Sequence, residues 1–322
     1  VHVTPVRRRQ VLVAALTGIA IASTGAAGPA FAAEATGSIT GQVRDTRGAV
    51  VANAYIAVHL DPNSGAVQER QADERGRFSI TDLKPGSYKI SIGQSGWSEW
   101  APGRITDAAQ APAFPVRANR ATVVNSTVTA AGILAGKLLN PDGTPNANAA
   151  VNITNVDTSS GSAGLTAADG TFRIKVQPNA TFTVSYSVGS LSQYVPHTFD
   201  PAQATRFFVP SGRTVQVSDQ AVALSGIAGR LTDAAGAPVS GAYVTFTNVD
   251  TAGPSQTDTA ADGTFDFSNL LEPGRYKVEF TVGGRSQYSY QKSDWESADI
   301  ITIVSGRTAT VNEQLLWVPT AR

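Results

Sequence analysis

From about residue 37 onward, apolar and polar residues alternate at period two in short runs, and clusters of Gly, Pro, Asn and Asp separate the runs. Ala242-Tyr243-Val244-Thr245-Phe246-Thr247 and Tyr276-Lys277-Val278-Glu279-Phe280-Thr281-Val282 are typical, rich in β-branched and aromatic side chains. Such a pattern predicts half-buried strands, because successive side chains of a strand point to opposite faces. No stretch beyond the N-terminal segment has the periodicity of an amphipathic helix. The expected class is therefore all-β.

The runs belong to a larger repeat. Gly41-Gln42-Val43, Gly136-Lys137-Leu138 and Gly229-Arg230-Leu231 each open a unit, at a period of about 94 residues, and each is followed by a turn at residues 45–48, 140–143 and 233–236. A second anchor is Asp73-Glu74-Arg75-Gly76-Arg77-Phe78, matched by Asp169-Gly170-Thr171-Phe172 and Asp262-Gly263-Thr264-Phe265. A third is Leu83-Lys84-Pro85-Gly86-Ser87-Tyr88, matched by Leu271-Glu272-Pro273-Gly274-Arg275-Tyr276 and more loosely by Val176-Gln177-Pro178-Asn179-Ala180-Thr181-Phe182. There Asn179 stands for the glycine, as the residue that best tolerates positive φ. Alternating runs at 121–128, 214–221 and 308–315 close the units. About seven short strands in such a unit describe a two-sheet sandwich. The expected domains are residues 33–130, 131–224 and 225–322, with short linkers near Ala130-Ala131 and Leu224-Ser225.

The order Gly-x-Val, Asp-x-x-Gly, Ala-Tyr-Val, Asp-Gly-Thr-Phe, Leu-x-Pro-Gly-x-Tyr resembles the carboxypeptidase regulatory-like domain, a transthyretin-like sandwich close to the Cna B-type and starch-binding-like sandwiches. The resemblance covers nearly all of residues 37–319. It implies three tandem transthyretin-like β-sandwich domains, and a role as accessory module, spacer, adhesive stalk or carbohydrate-binding domain. The motif residues make turns and strand starts, so the resemblance speaks to fold more than to activity.

The N-terminus changes the picture of compartment. Arg7, Arg8 and Arg9, an apolar stretch at residues 11–22 and Ala30-Phe31-Ala32 have the order of a secretory signal peptide, residues 1–32. Arg8-Arg9 followed by Gln10, Val11 and Leu12 also resembles a twin-arginine signal, so Sec and twin-arginine export are both open. A GTG start codon read as Val1, in a chain without methionine, points to a bacterial source. No later apolar run reaches 18 residues, and residues 315–322 carry no membrane tail or sorting signal. Release to the extracellular space, with no membrane anchor, is the expectation.

Composition narrows the partners. The 322 residues are 42% hydrophobic and 16% charged, and 25 Lys plus Arg balance 25 Asp plus Glu. Nucleic acid is not expected, since no basic excess is available to release its counterions. Absence of cysteine removes disulfides, thiolate nucleophiles and thiolate-bound metals.

Catalysis lacks a quorum. The zinc carboxypeptidases that such domains accompany need a His-x-x-Glu pair and a later His, whereas His59 and His197 stand in different repeats and the third repeat has none. A Ser-His-Asp triad fails on the same count. Asp45, Asp73, Asp169, Asp233 and Asp262 sit in repeated turns, where they have backbone work to do. Thr154-Asn155-Val156-Asp157-Thr158 and Thr247-Asn248-Val249-Asp250-Thr251 lack the ligand density of a calcium loop and read as a strand end and turn. An isopeptide bond of the Cna B type joins a first-strand Lys to a last-strand Asn. Lys137 has no such Asn in its unit, and Asn125 and Asn312 lie in units that open with Gln42 and Arg230.

Aromatic residues are the remaining candidates, because sugars stack on exposed rings. Trp100, Tyr194 and Tyr288 occupy one repeat position within Ser-Glu-Trp, Ser-Gln-Tyr and Ser-Gln-Tyr, which favours a structural role. Trp97 and Trp295 stand outside the repeat and are open to either reading, ligand platform or cover for a sandwich end. The expected protein is a secreted, non-catalytic binding or scaffold protein for adhesion or display, with an extracellular glycan or protein as ligand and no cofactor or metal. The alternative is a carbohydrate-binding accessory protein associated with polysaccharide degradation.

Overall fold

The first sandwich is built from nine short strands: β1 (Gly37–Asp45), β2 (Tyr55–His59), β3 (Gln68–Gln71), β4 (Arg77–Leu83), β5 (Gly86–Gln94), β6 (Trp97–Trp100), β7 (Phe114–Val116), β8 (Ala121–Val123) and β9 (Ser126–Val128). These come from a computed structural model that describes residues 35–61, 63 and 65–319. The signal-peptide reading, residues 1–32, lies outside the described residues. One sheet has the order β4-β1-β8, with β9 also on β1; the other has β3-β2-β5-β6, with β7 on β5. Strand β1 runs antiparallel to β4 and parallel to β8 and β9. The second and third sandwiches repeat this plan from first strands Gly132–Leu139 and Ser225–Thr232, giving six sheets among the described residues.

Alternation does the packing. In β4, Phe78, Ile80 and Leu83 point inward, and in β5 Tyr88, Ile90 and Ile92 meet them. The same positions carry Phe172, Ile174, Val176, Phe182, Val184 and Tyr186 in the second sandwich, and Phe265, Leu271, Tyr276, Val278 and Phe280 in the third. Each sandwich thus closes one apolar cluster, and each fully buried side chain contributes roughly 1.5–3 kcal/mol against exposure.

The opening glycine has a tertiary cause. A Cβ on Gly41, Gly136 or Gly229 would lie 2.0, 1.6 or 1.8 Å from the carbonyl oxygen of Val124, Val217 or Val311. The closing run, expected as one strand, is broken there. Between β8 and β9 Val124 donates its N–H to Thr40 O at 2.7 Å and buries its side chain, while Asn125 Oδ1 accepts the Gln42 N–H at 3.0 Å. Val311 and Asn312 do the same on Ala228 and Arg230 at 2.8 and 3.1 Å. That break turns one expected strand into two, and each sandwich has nine strands rather than about seven.

Two further details refine the motifs. Tyr88 and Tyr276 are buried to the ring and donate their hydroxyls to Lys84 O and Glu272 O at 2.8 and 2.9 Å, so the Leu-x-Pro-Gly-x-Tyr motif closes its own loop. Phe182 holds the equivalent place in the second sandwich. Strand register makes Ala180 the counterpart of Gly86 and Gly274. Asn179 (φ 56°) is therefore an added loop residue rather than a stand-in for the glycine.

The chain from Thr36 onward forms one unit, and its two junctions share a clasp. Ala130 O accepts from Gly212 N and Ser211 Oγ at 3.2 and 3.0 Å, and Ala223 O accepts from Gly306 N and Ser305 Oγ at the same distances. The first junction adds Arg47, whose Nη1 donates to Gly212 O at 3.2 Å while its guanidinium pairs with Asp45.

Candidate functional site

Strand β6 and its counterparts Leu191–Tyr194 and Arg285–Tyr288 carry most of the aromatic candidates. Trp100, Tyr194 and Tyr288 end these strands, half-buried, and their backbone N–H groups donate to Ile105 O, Thr198 O and Lys292 O at 2.7, 2.6 and 2.9 Å. Trp100 rests against His59, with ring centroids 5.0 Å apart. Tyr288 meets Trp295 edge-on at 6.3 Å, and burial raises its hydroxyl pKa. Trp295 is 38% exposed, and the Lys277 ammonium lies 4.6 Å over its ring. Trp97 is half-buried, with its indole N–H out of solvent. The five residues are not gathered into one site: only Tyr288 and Trp295 touch, and the others belong to the first and second sandwiches.

The residue before the aromatic matters more to the fold. Glu99, Gln193 and Gln287 are buried, and each accepts from the N–H just beyond the last strand: Thr129 N at 2.9 Å, Val222 N at 2.7 Å and Leu316 N at 2.9 Å. Gln193 Nε2 donates to Tyr186 Oη, to Asp219 Oδ2 at 3.1 Å and to Gln220 O at 3.0 Å. Tyr186 in turn donates to Asp219 at 3.1 Å, and its own pKa is pushed up by burial and by that carboxylate. Gln287 Nε2 reaches Glu313 and Gln314 O, while Glu313 accepts from Tyr290 N at 2.6 Å and Gln291 N at 2.9 Å. The sequence signal for this position is a Gln or Glu that repeats between Ser and an aromatic residue.

Other polar candidates have local partners. Asp45 and Asp233 each accept two backbone N–H bonds of their turns at 2.8–2.9 Å. Asp73 accepts from Arg75 N and Arg77 N, both at 2.8 Å. Asp169 and Asp262 accept from the hydroxyl and N–H of Thr171 and Thr264, which hold their carboxyls below the ordinary range. Asn155 and Asn248 cap their turns through Asp157 N and Asp250 N at 2.9 and 2.8 Å. His59 bonds Ser91 Oγ at 3.0 Å in the first sandwich, and His197 lies 3.0 Å from Asp219 in the second. Among the described residues no group of three or more His, Asp and Glu could hold a metal ion.

One cleft does combine aromatic and acidic side chains. It opens between the second and third sandwiches, with a volume of about 330 Å³, and Tyr194 and Phe199 face Asn248, Leu270 and Glu272 across it. Glu272 Oε1 accepts from Asn248 Nδ2 at 2.6 Å. Burial raises its pKa, and the nearby charges of Asp200 and Asp250 add to the rise. In the second sandwich the equivalent pair is Asn155 and the neutral Gln177, 3.4 Å apart.

The family model for the carboxypeptidase regulatory-like domain matches residues 38–129 and 226–315. The second repeat, where Phe182 replaces the tyrosine and Asn179 is added, lies outside both segments. No curated protein matches the chain. Similar solved structures include a streptococcal ancillary pilin, at 11% identity over 86% of this chain and 99% of that one, TM-score 0.34. The major pilin subunit of Bacillus cereus matches at 12% identity over 87% and 99%, TM-score 0.22. The Bacillus anthracis TIE protein matches at 16% identity over 87% of this chain, TM-score 0.26, and the chain spans 50% of that protein's structure. At such scores these likenesses carry no argument about function.

Proposed function

This chain belongs to the carboxypeptidase regulatory-like domain family, and from that premise we propose that it is a secreted, non-catalytic scaffold that binds or displays other extracellular molecules. One observation carries the reading. The side chains that chemistry would recruit are committed to the fold: the repeated aspartates to turn N–H groups, and Gln193, Asp219, Gln287 and Glu313 to buried bonds behind the last strands. Recruiting a residue so engaged to move protons on a substrate would compete with the bonds that hold its sandwich. Secretion is supported by the order of charge, apolar stretch and small residues at the N-terminus.

A second reading, carbohydrate binding, is favoured by the exposure of the Trp295 ring beside Tyr288. Trp97 is its other candidate platform, with Trp100, Tyr194 and Tyr288 in support of the frame. Purified protein should start near Ala33 by intact mass and turn over neither peptide esters nor nitrophenyl glycosides. Turnover that survives purification would end the non-catalytic reading. Retention on insoluble starch, cellulose or chitin, lost in Trp97→Ala and Trp295→Ala, would establish the second. We place the domain boundaries at 130/131 and 224/225, so the fragment 225–322 should melt cooperatively by circular dichroism.

A further inference from the structure

The cleft at the second junction holds the partly buried carboxylate of Glu272, and among the described residues that line it none is basic. Glu272 has an amide partner, Asn248, and the nearest arginine in sequence, Arg275, is paired with Asp250 instead. Withdrawing a carboxylate from water costs free energy that a cation beside it would return. Asp200 and Asp250 add to the negative field at the same spot. The walls supply the complement to a long cationic side chain, since the aromatic Tyr194 and Phe199 and the aliphatic Leu270 line them. Size points the same way. About 330 Å³ is at the small end of ligand pockets, roughly 300–1,000 Å³, and suits one side chain better than a run of sugar rings.

We propose that this cleft receives a single basic side chain, lysine or arginine, of a partner polypeptide, with its stem against Tyr194, Phe199 and Leu270 and its charged head at the Glu272 carboxylate. The second sandwich has the neutral Gln177 where the third has Glu272, so the charge is particular to the third. The inference goes beyond the scaffold reading and does not depend on it: a cleft that binds nothing would leave secretion and the lack of turnover as they are.

The test is titration of the full-length protein with acetyl-Gly-Lys-Gly-amide, followed by NMR shifts of the Tyr194 and Asn248 signals. The control peptide carries norleucine in place of lysine. The lysine peptide should saturate those shifts and the norleucine peptide should bind at least about tenfold more weakly, as expected for loss of one charge-assisted contact. Glu272→Gln should weaken the lysine peptide by a similar factor. This variant will fold, because Gln177 already occupies the same place beside Asn155 in the second sandwich. Tyr194→Ala should weaken it several-fold, an effect carried by the ring face. Equal affinity for the two peptides, or an unchanged affinity in Glu272→Gln, would overturn the proposal. So would maltoheptaose saturating the same signals with equal strength in wild type and Glu272→Gln, since that would make the cleft a sugar site.

Discussion

The first sandwich and the other two close their open ends with the same bonds but put the negative charge on different strands. In the first, Glu99 on β6 is the acid, and the last strand offers Ser126. In the second and third, the β6 position holds a glutamine, and the last strand holds Asp219 or Glu313. Glu99 Oε2 takes Arg104 N and Thr129 N directly, at 2.8 and 2.9 Å. The glutamines take one N–H and spend their own NH2 on the acid of the other sheet. What the architecture requires is an oxygen facing the N–H past the last strand. Which strand carries the charge is free, and in the first sandwich the exchange leaves the buried Ser126 Oγ without a hydrogen-bond partner.

Three experiments sharpen or break that comparison. Removing the lock should cost most. Gln193→Leu strands the Val222 N–H and takes a donor from buried Asp219, and should destabilise the second sandwich by about 3 kcal/mol, read by urea denaturation. A loss under about 1 kcal/mol would mean the network is ornamental. Exchanging the charges comes next. Gln287→Glu sets a second carboxylate against Glu313 and should cost about 2 kcal/mol at pH 7, recovering in acid as one carboxyl takes a proton. The reciprocal Glu99→Gln keeps an acceptor and should cost less than about 1 kcal/mol. Similar losses in the two would refute the view that the acid's position is free.

The smallest effect concerns the junctions. Glu272 has a folded-state pKa above its ordinary value of 4.5, because burial and the neighbouring aspartates disfavour its charge. A group raised in this way favours the fold in its protonated form, and that contribution is lost as pH rises through the raised value. Glutamine is neutral throughout. Glu272→Gln should therefore be more stable than wild type at pH 7, by less than about 1 kcal/mol for a half-exposed group. The gain should vanish below about pH 4.5, as measured by the difference in Tm at pH 7 and pH 4. A difference that is the same at both pH values would mean the charge of Glu272 is not what separates the third sandwich from the second.

Strand positions, repeat period and turn glycines were legible along the chain because each depends on residues within a few places of one another. Gly76, Gly170 and Gly263 take positive φ in the turns their motif implies, and Asp73, Asp169 and Asp262 bind the N–H groups just after them. Alternation likewise declared which side chains face inward, and the three clusters follow it. The need for Gly41, Gly136 and Gly229 was visible as repetition, but its reason was not. The carbonyl that excludes a Cβ comes from Val124, Val217 or Val311, more than 80 residues away.

Those distant encounters are what tertiary structure alone decided. Glu99, Gln193 and Gln287 look like ordinary polar residues on an edge strand until the end of the last strand, about 30 positions on, is laid beside them. Glu272 reads as the x of a turn motif until Tyr194 and Phe199 of the preceding sandwich are brought opposite it. A period of two in the chain specifies the face a side chain occupies, because that follows from backbone geometry. It carries no information about which unpaired group will stand across that face. That depends on how sheets and neighbouring sandwiches pack, and it set both the buried locks and the charge at the second junction.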